Sequence, residues 1–201
     1  MKFRNIIWCL LAVLALASCK EEDDAVEEYA NWQATNDEYY SRLVSEVKLG
    51  IPSMQSQWEI IPCYTMPDEG YKLNYYDNIV VEKLEQGSGT TSPLQTDSVT
   101  VHYQGRLLPS ASYSRGYIFD QSYSGTFDPV TATPSKFAIN GVVKGFATAL
   151  MCMHRGDRWR IYIPYQLGYG SGARTGIPAY STLIFELQLE DFWRKTLGDR
   201  D

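Results

Sequence analysis

The chain has 201 residues, 44% of them hydrophobic and 21% charged, enough for one ordinary globular domain and an appendage. Its 24 acidic side chains outnumber 18 basic ones, for a formal net charge of −6. No basic stripe is present to neutralise phosphates, which argues against a nucleic-acid partner.

Lys2 and Arg4 precede an apolar run from Ile6 to Ala17, too short for the roughly 20 residues that a spanning helix needs. Residues 1–18 read as an export signal. The run ends Leu16-Ala17-Ser18-Cys19, which resembles the lipobox of bacterial lipoproteins, and the resemblance implies lipidation of Cys19, a membrane anchor and a place in the cell envelope. That place would be the outer membrane, facing the periplasm or exposed at the surface. Lys20-Glu-Glu-Asp-Asp24 follows; like charges keep such a segment extended as a tether. The same residues resemble the lysine-plus-acid signal that sends some lipoproteins to the cell surface.

Tyr29, Trp32, Tyr39 or Tyr40, Leu43 and Val47 recur at helical spacing, predicting a helix from Ala25 to Val47 that Gly50 and Pro52 end. An aromatic stripe of this kind packs on its own domain or on a copy of itself, which leaves open an arm that makes a homodimer. From Ile51 to Glu69 three prolines interrupt Trp58, Ile60 and Ile61, so this stretch reads as a connection holding at most a short strand or helix. Residues 19–75 are thus an acidic tether and helical arm, 76–195 the main domain and 196–201 a tail.

Within the main domain, Ile79 to Leu84, Ser98 to Tyr103, Asp157 to Ile163 and Thr182 to Glu190 carry strand patterns. The last three alternate, placing Trp159, Ile161 and Ile163 inward and Arg158, Arg160 and Tyr162 outward. Each strand then has one wet face, as in an antiparallel sheet covered on one side. A short helix from Val143 to Met153 offers Phe146, Ala149, Leu150 and Met153 as its apolar stripe. The fold class is α+β, an antiparallel sheet curled around one short helix, with an N-terminal helical arm. Cys63 and Cys152 could pair or remain two thiols; spacing does not decide.

The pieces Val101-His-Tyr-Gln-Gly105, Phe119-Asp120, Val142-Val143 leading to Gly145-Phe146, Gly156-Asp-Arg-Trp159, Ile163-Pro164, Tyr169-Gly170, Ile177-Pro178 and Leu183-Ile-Phe185 occur in one order. In that order they resemble the FKBP-type peptidyl-prolyl cis-trans isomerases, over about Asn78 to Trp193. The resemblance implies catalysis of X-Pro rotation in exported proteins, assisting their folding, with proline-containing polypeptides as substrates and macrolides of the rapamycin class as ligands. A non-catalytic peptide-binding or chaperone module at the envelope is the alternative. Catalytic positions carry over to Tyr103, Phe119, Asp120, Tyr169 and Phe185, and substrate-binding positions to Val142, Val143, Phe146 and Ile177. Phe146 stands where the best-known members have tryptophan. For one further pocket aromatic, Phe127 and Phe137 compete.

Rotation about an amide breaks no bond, so the implied chemistry calls for neither nucleophile, metal nor cofactor. His102 and His154 show no zinc spacing. Gly168-Tyr-Gly-Ser-Gly172 lacks the Gly-Lys-Ser/Thr ending of a phosphate loop, and Tyr169 stands where a nucleophile elbow around Ser171 would need its first glycine.

Overall fold

The computed structural model describes residues 27–51, 57–67 and 69–194. The expected export signal, Cys19, the stretch Lys20 to Asp24 read as a tether, the expected helix start at Ala25 and the expected tail lie outside the described residues. Among the described residues, no helix is long and apolar enough to cross a membrane.

Seven strands form one antiparallel sheet: β1 (Trp58–Pro62), β2 (Asn78–Glu85), β3 (Ser98–Arg106), β4 (Ile118–Gln121), β5 (Ser135–Ala138), β6 (Arg158–Ile163) and β7 (Leu183–Trp193). Their order is β1-β2-β6-β7-β3-β4, and β5 also pairs with β3. Thus β4 and β5 share one edge of β3, the first at Gln104 to Arg106 and the second at Ser98 to Val101. Among the described residues two α-helices complete the fold, α1 (Trp32–Leu49) and α2 (Lys144–Cys152).

The concave face holds the main core. Val99, Val101, Ile161, Leu187 and Leu189 are fully buried there with Ala149 and Leu150 from α2 and Met153, the residue that caps it. That is the pattern alternation dictates, since side chains two residues apart share a face. The expected α2 stripe is the one that is buried.

The opposite face differs from the sequence expectation. Tyr162 does point away from the concave core, yet it is buried, because α1 lies over it with Tyr40, Leu43 and Val44 and encloses Val80 as well. The sheet is therefore covered on both sides near β2 and β6, and β2 carries buried residues in succession. The apolar stripe of α1 is turned to the chain's own sheet. Polar contacts fix its placement: Tyr40 Oη donates to the Asn78 carbonyl at 2.8 Å, Trp32 Nε1 to Ser181 Oγ at 2.8 Å, and Asn36 Oδ1 accepts the Thr182 N–H at 2.7 Å. The helix starts at Trp32, later than the stripe suggests, with Asn31 left-handed at φ 51°; Gly50 caps its end at φ 60°, as expected.

The stretch read as a connection supplies β1, which pairs with β2 from Trp58↔Glu82 to Pro62↔Asn78. Trp58 stacks on Tyr162 with centroids 5.5 Å apart. Cys63 is buried and Cys152 exposed, and both thiols are free. Beyond α1 the convex face carries charges: Arg160 pairs with Glu82 and Glu186 (2.7 and 2.8 Å), Arg158 with Glu85 and Glu186 (2.8 and 3.1 Å).

Candidate active site

The end of β3 brings the site together. Tyr103 is the last of the inward residues Val99, Val101 and Tyr103, and the next inward position is Gly105, opposite Phe185 on β7 and Asp120 on β4. A Cβ at Gly105 would lie 2.5 Å from Phe185 Cε1 and 2.7 Å from Phe119 Cε2. Glycine is what lets those two rings meet over the strand; their centroids are 5.4 Å apart at 90°.

From the helix side, Val143 is the N-cap of α2 and Phe146 lies in its first turn. Phe146 meets Phe185, Tyr103 and Phe137 edge-on at 5.0, 6.3 and 6.3 Å. Pairing of Val99 with Phe137 turns this ring toward Tyr103, 5.5 Å away. Edge-to-face contacts of this kind add about 0.5–1.5 kcal/mol each beyond area burial, so the aromatic floor is rigid. Tyr169 arrives on a loop fixed by hydrogen bonds from Gly170 N to the Tyr165 carbonyl (2.8 Å) and from Tyr180 N to the Gly170 carbonyl (3.0 Å). Tyr180 holds a left-handed conformation, φ 62°, that a bulky side chain seldom adopts.

The result is a groove of about 230 Å³ lined by Tyr103, Asp120, Phe137, Gly141, Val142, Val143, Phe146, Tyr169 and Phe185. Seven of the nine residues expected from sequence line it. Phe119 stands behind Phe185 as a buttress. Ile177 is buried and lines a neighbouring depression instead, because a tight turn pairs it with Arg174 through both backbone groups (2.8 and 2.9 Å). Sequence left Phe127 and Phe137 in competition, and Phe137 is the one that lines the groove. Phe127 packs on the convex face between His102 and Tyr123, with the Arg158 guanidinium 5.1 Å from its ring centre. Gly141 was missed, and as a residue without a side chain it leaves no chemical signal.

One acid faces this apolar wall. Burial, and then the hydrogen bond and charge of the Asp120 carboxylate, push the Tyr103 hydroxyl well above the usual tyrosine range, so it stays protonated as a donor to Asp120. Asp120 Oδ1 also accepts the Gln121 N–H at 2.9 Å. Among the described residues, no three His, Cys, Asp or Glu side chains gather where they could hold a metal, and no histidine or cysteine lines the groove. An apolar recess with a carboxylate at its rim and a free helix start suits binding of a small apolar ring joined to a polar backbone.

A family model for FKBP-type peptidyl-prolyl cis-trans isomerases matches residues 89–190. The chain is 32% identical over 191 residues to a protein of Trypanosoma cruzi named macrophage infectivity potentiator, covering 93% of this chain and 82% of that one. It is 39% identical over 107 residues to the FKBP-type 22 kDa peptidyl-prolyl cis-trans isomerase of Escherichia coli, covering 53% of this chain and 46% of that one. The crystal structure of FkpA from Escherichia coli superposes with a TM-score of 0.51 at 25% identity, over 82% of this chain and 66% of that one. The match thus spans most of the trypanosome protein and under half of the 22 kDa bacterial one, while residues 89–190 of the family model take in the strands and helix that wall the groove. The chain belongs to the FKBP-type peptidyl-prolyl cis-trans isomerase family.

Proposed function

We propose that the groove binds the proline of an exported polypeptide and speeds rotation about the preceding bond, assisting folding at the cell envelope. The observation that carries this reading is the convergence of Tyr103, Asp120, Phe146, Tyr169 and Phe185 on one recess. Each comes from a different element, so packing of any one strand does not account for it.

The uncatalysed barrier is about 18–20 kcal/mol and comes from lost amide resonance. A catalyst need only favour the twisted amide over the planar one. Planar amides carry the larger dipole, and a wall of Phe137, Val142, Val143, Phe146 and Phe185 solvates that dipole less well than water does, while it accepts the pyrrolidine ring by apolar burial. Polar groups then fix the peptide. The Tyr169 hydroxyl donates to a substrate carbonyl. The Val143 N–H, which has no acceptor among the described residues, takes a second. Asp120, held by Tyr103, orients the twisted amide, and Phe119 keeps Phe185 upright. Rapamycin-class macrolides occupy the same recess as competitors of the substrate.

Lipidation at Cys19 anchors the enzyme, with the acidic residues after it as spacer; more than one acyl chain is needed for stable attachment. Loss of labelled acyl incorporation in Cys19→Ala tests that anchor. The activity is tested by cis-to-trans relaxation of a short X-Pro peptide, with and without the protein. Acceleration blocked by a rapamycin-class macrolide supports an isomerase; binding without acceleration supports a peptide-holding module instead.

A further inference from the structure

Beside the isomerase groove lies a shallow second depression of about 510 Å³. Three distant parts of the chain wall it: Glu28 and Tyr29 ahead of α1, Tyr113 and Tyr117 from the long β3–β4 connection, and Arg174 from the loop that carries Tyr169.

These walls are fastened to one another. The Glu28 carboxylate accepts hydrogen bonds from Ser110 Oγ and from the Ser112 N–H, the latter at 2.9 Å. Tyr113 and Tyr117 meet edge-on at 5.0 Å. The β3–β4 connection is closed at its base by the Leu107 N–H, which donates to the Tyr117 carbonyl at 2.9 Å. Gly176 has φ +74°, and a Cβ there would come within 3.1 Å of the Tyr117 ring, so the two loops already touch.

The two depressions share a partition. Arg174 lines the second, and its guanidinium stands 5.7 Å from the centre of the Tyr169 ring, which lines the first. Among the described residues no carboxylate lies within ion-pairing distance of Arg174, whose side chain is exposed and hydrogen-bonded to the Ala173 carbonyl at 3.4 Å. The one acid of the depression, Glu28, is engaged by Ser110 and Ser112. A cation without an ionic partner therefore stands where the two recesses meet, among tyrosine faces.

We propose that this depression is an extended subsite for the polypeptide flanking the proline, and that Arg174 selects an acidic side chain in that flank. The inference rests on the isomerase reading of the neighbouring groove and deepens it. A recess of about 230 Å³ holds little more than the proline and its neighbour, so the rest of a long substrate must leave across the rim. The path over Tyr169 and Arg174 leads into the second depression. Tyrosine faces take up backbone and side chains of many sequences, whereas a guanidinium discriminates, because its planar fork matches a carboxylate.

The test uses the full chain and peptides with one central proline, in which a flanking position is Glu, Gln or Lys, scanned along both sides. Wild type, Arg174→Gln, Arg174→Lys and Arg174→Glu are compared by kcat/KM and by calorimetric Kd. At the responsive position, Glu over Gln is expected to gain about two- to fivefold, the range of an exposed ion pair, through KM and not kcat. The gain should vanish in Arg174→Gln, persist in Arg174→Lys and invert toward Lys in Arg174→Glu. Equal ratios in all four proteins at every position overturn the proposal. Binding that depends on Arg174 without any turnover would sink the isomerase reading and keep the subsite; turnover indifferent to residue 174 would do the reverse.

Discussion

Phe146 meets Phe185 edge-on with centroids 5.0 Å apart and planes at 72°, and this one contact ties α2 to β7 at the floor of the groove. Phe146 is 4% exposed, so truncation to alanine removes most of a buried ring. Phe146→Ala should cost about 3–5 kcal/mol in denaturant unfolding. Phe146→Trp enlarges the platform and should tighten a rapamycin-class macrolide while retaining the fold; equal or weaker affinity would show that ring area at this position does not limit binding.

Gly105 is the second pressure point. An alanine there places its methyl against Phe185 and Phe119, and neither ring can retreat far inside the aromatic cluster. Gly105→Ala should destabilise by about 1–3 kcal/mol, the usual cost of overpacking, and lower kcat/KM for a short X-Pro peptide. An unchanged rate would mean that Phe185 can move without harm to the reaction.

The N-terminal helix belongs to the stability of the whole. Asn36 Oδ1 takes the buried Thr182 N–H at the start of β7, and Asn36→Ala would leave that donor without an acceptor. The expected loss is about 1–3 kcal/mol, read by thermal or denaturant unfolding. By the same reasoning a fragment starting at residue 76 uncovers Val80 and Tyr162, and should unfold at lower denaturant than one starting at residue 27.

Acid sensitivity has a named source on the convex face. Burial alone would raise the Glu186 carboxyl, but hydrogen bonds and charge from Arg160 and Arg158 outweigh it and hold it below its ordinary 4.5. A depressed carboxyl contributes stability that is complete above the unfolded value and is lost as pH falls through the folded one. Unfolding free energy should therefore decline below about pH 4.5, and Glu186→Gln should flatten that decline. Turnover should stay level across neutral and mildly alkaline pH, since Tyr103 keeps its proton there.

Periodicity made the concave side of the sheet legible. Val99, Val101, Trp159, Ile161 and Leu187 were placed by alternation alone, and the resemblance added the order of the groove residues. The convex side was harder to read, because Tyr162 looks like the outer face of an alternating strand and Val80 like part of an apolar run until a helix some forty residues before Val80 and about 120 before Tyr162 covers them. Trp58 to Pro62 was open between a short strand and a short helix, because prolines interrupt the stretch and only pairing with β2 makes it a strand. Phe127 and Phe137 have the same chemistry; what separates them is that Phe137 is paired with Val99 in β5, while Phe127 lies outside the strands and packs by its ring on His102 and Tyr123. Ile177 lines the neighbouring depression, in the turn that pairs its backbone with Arg174, a detail of loop geometry that composition does not carry.

The outermost strand has a bearing on life among unfolded chains. β1 ends on Pro62, which brings no N–H to a neighbouring ladder, and Glu59 on the same strand is held in a 2.6 Å ion pair with Lys83. Prolines and charges at a sheet border discourage a foreign strand from adding on. For a member of a family whose substrates are proline-containing polypeptides, a border guarded in this way disfavours lasting strand pairing with an extended substrate segment.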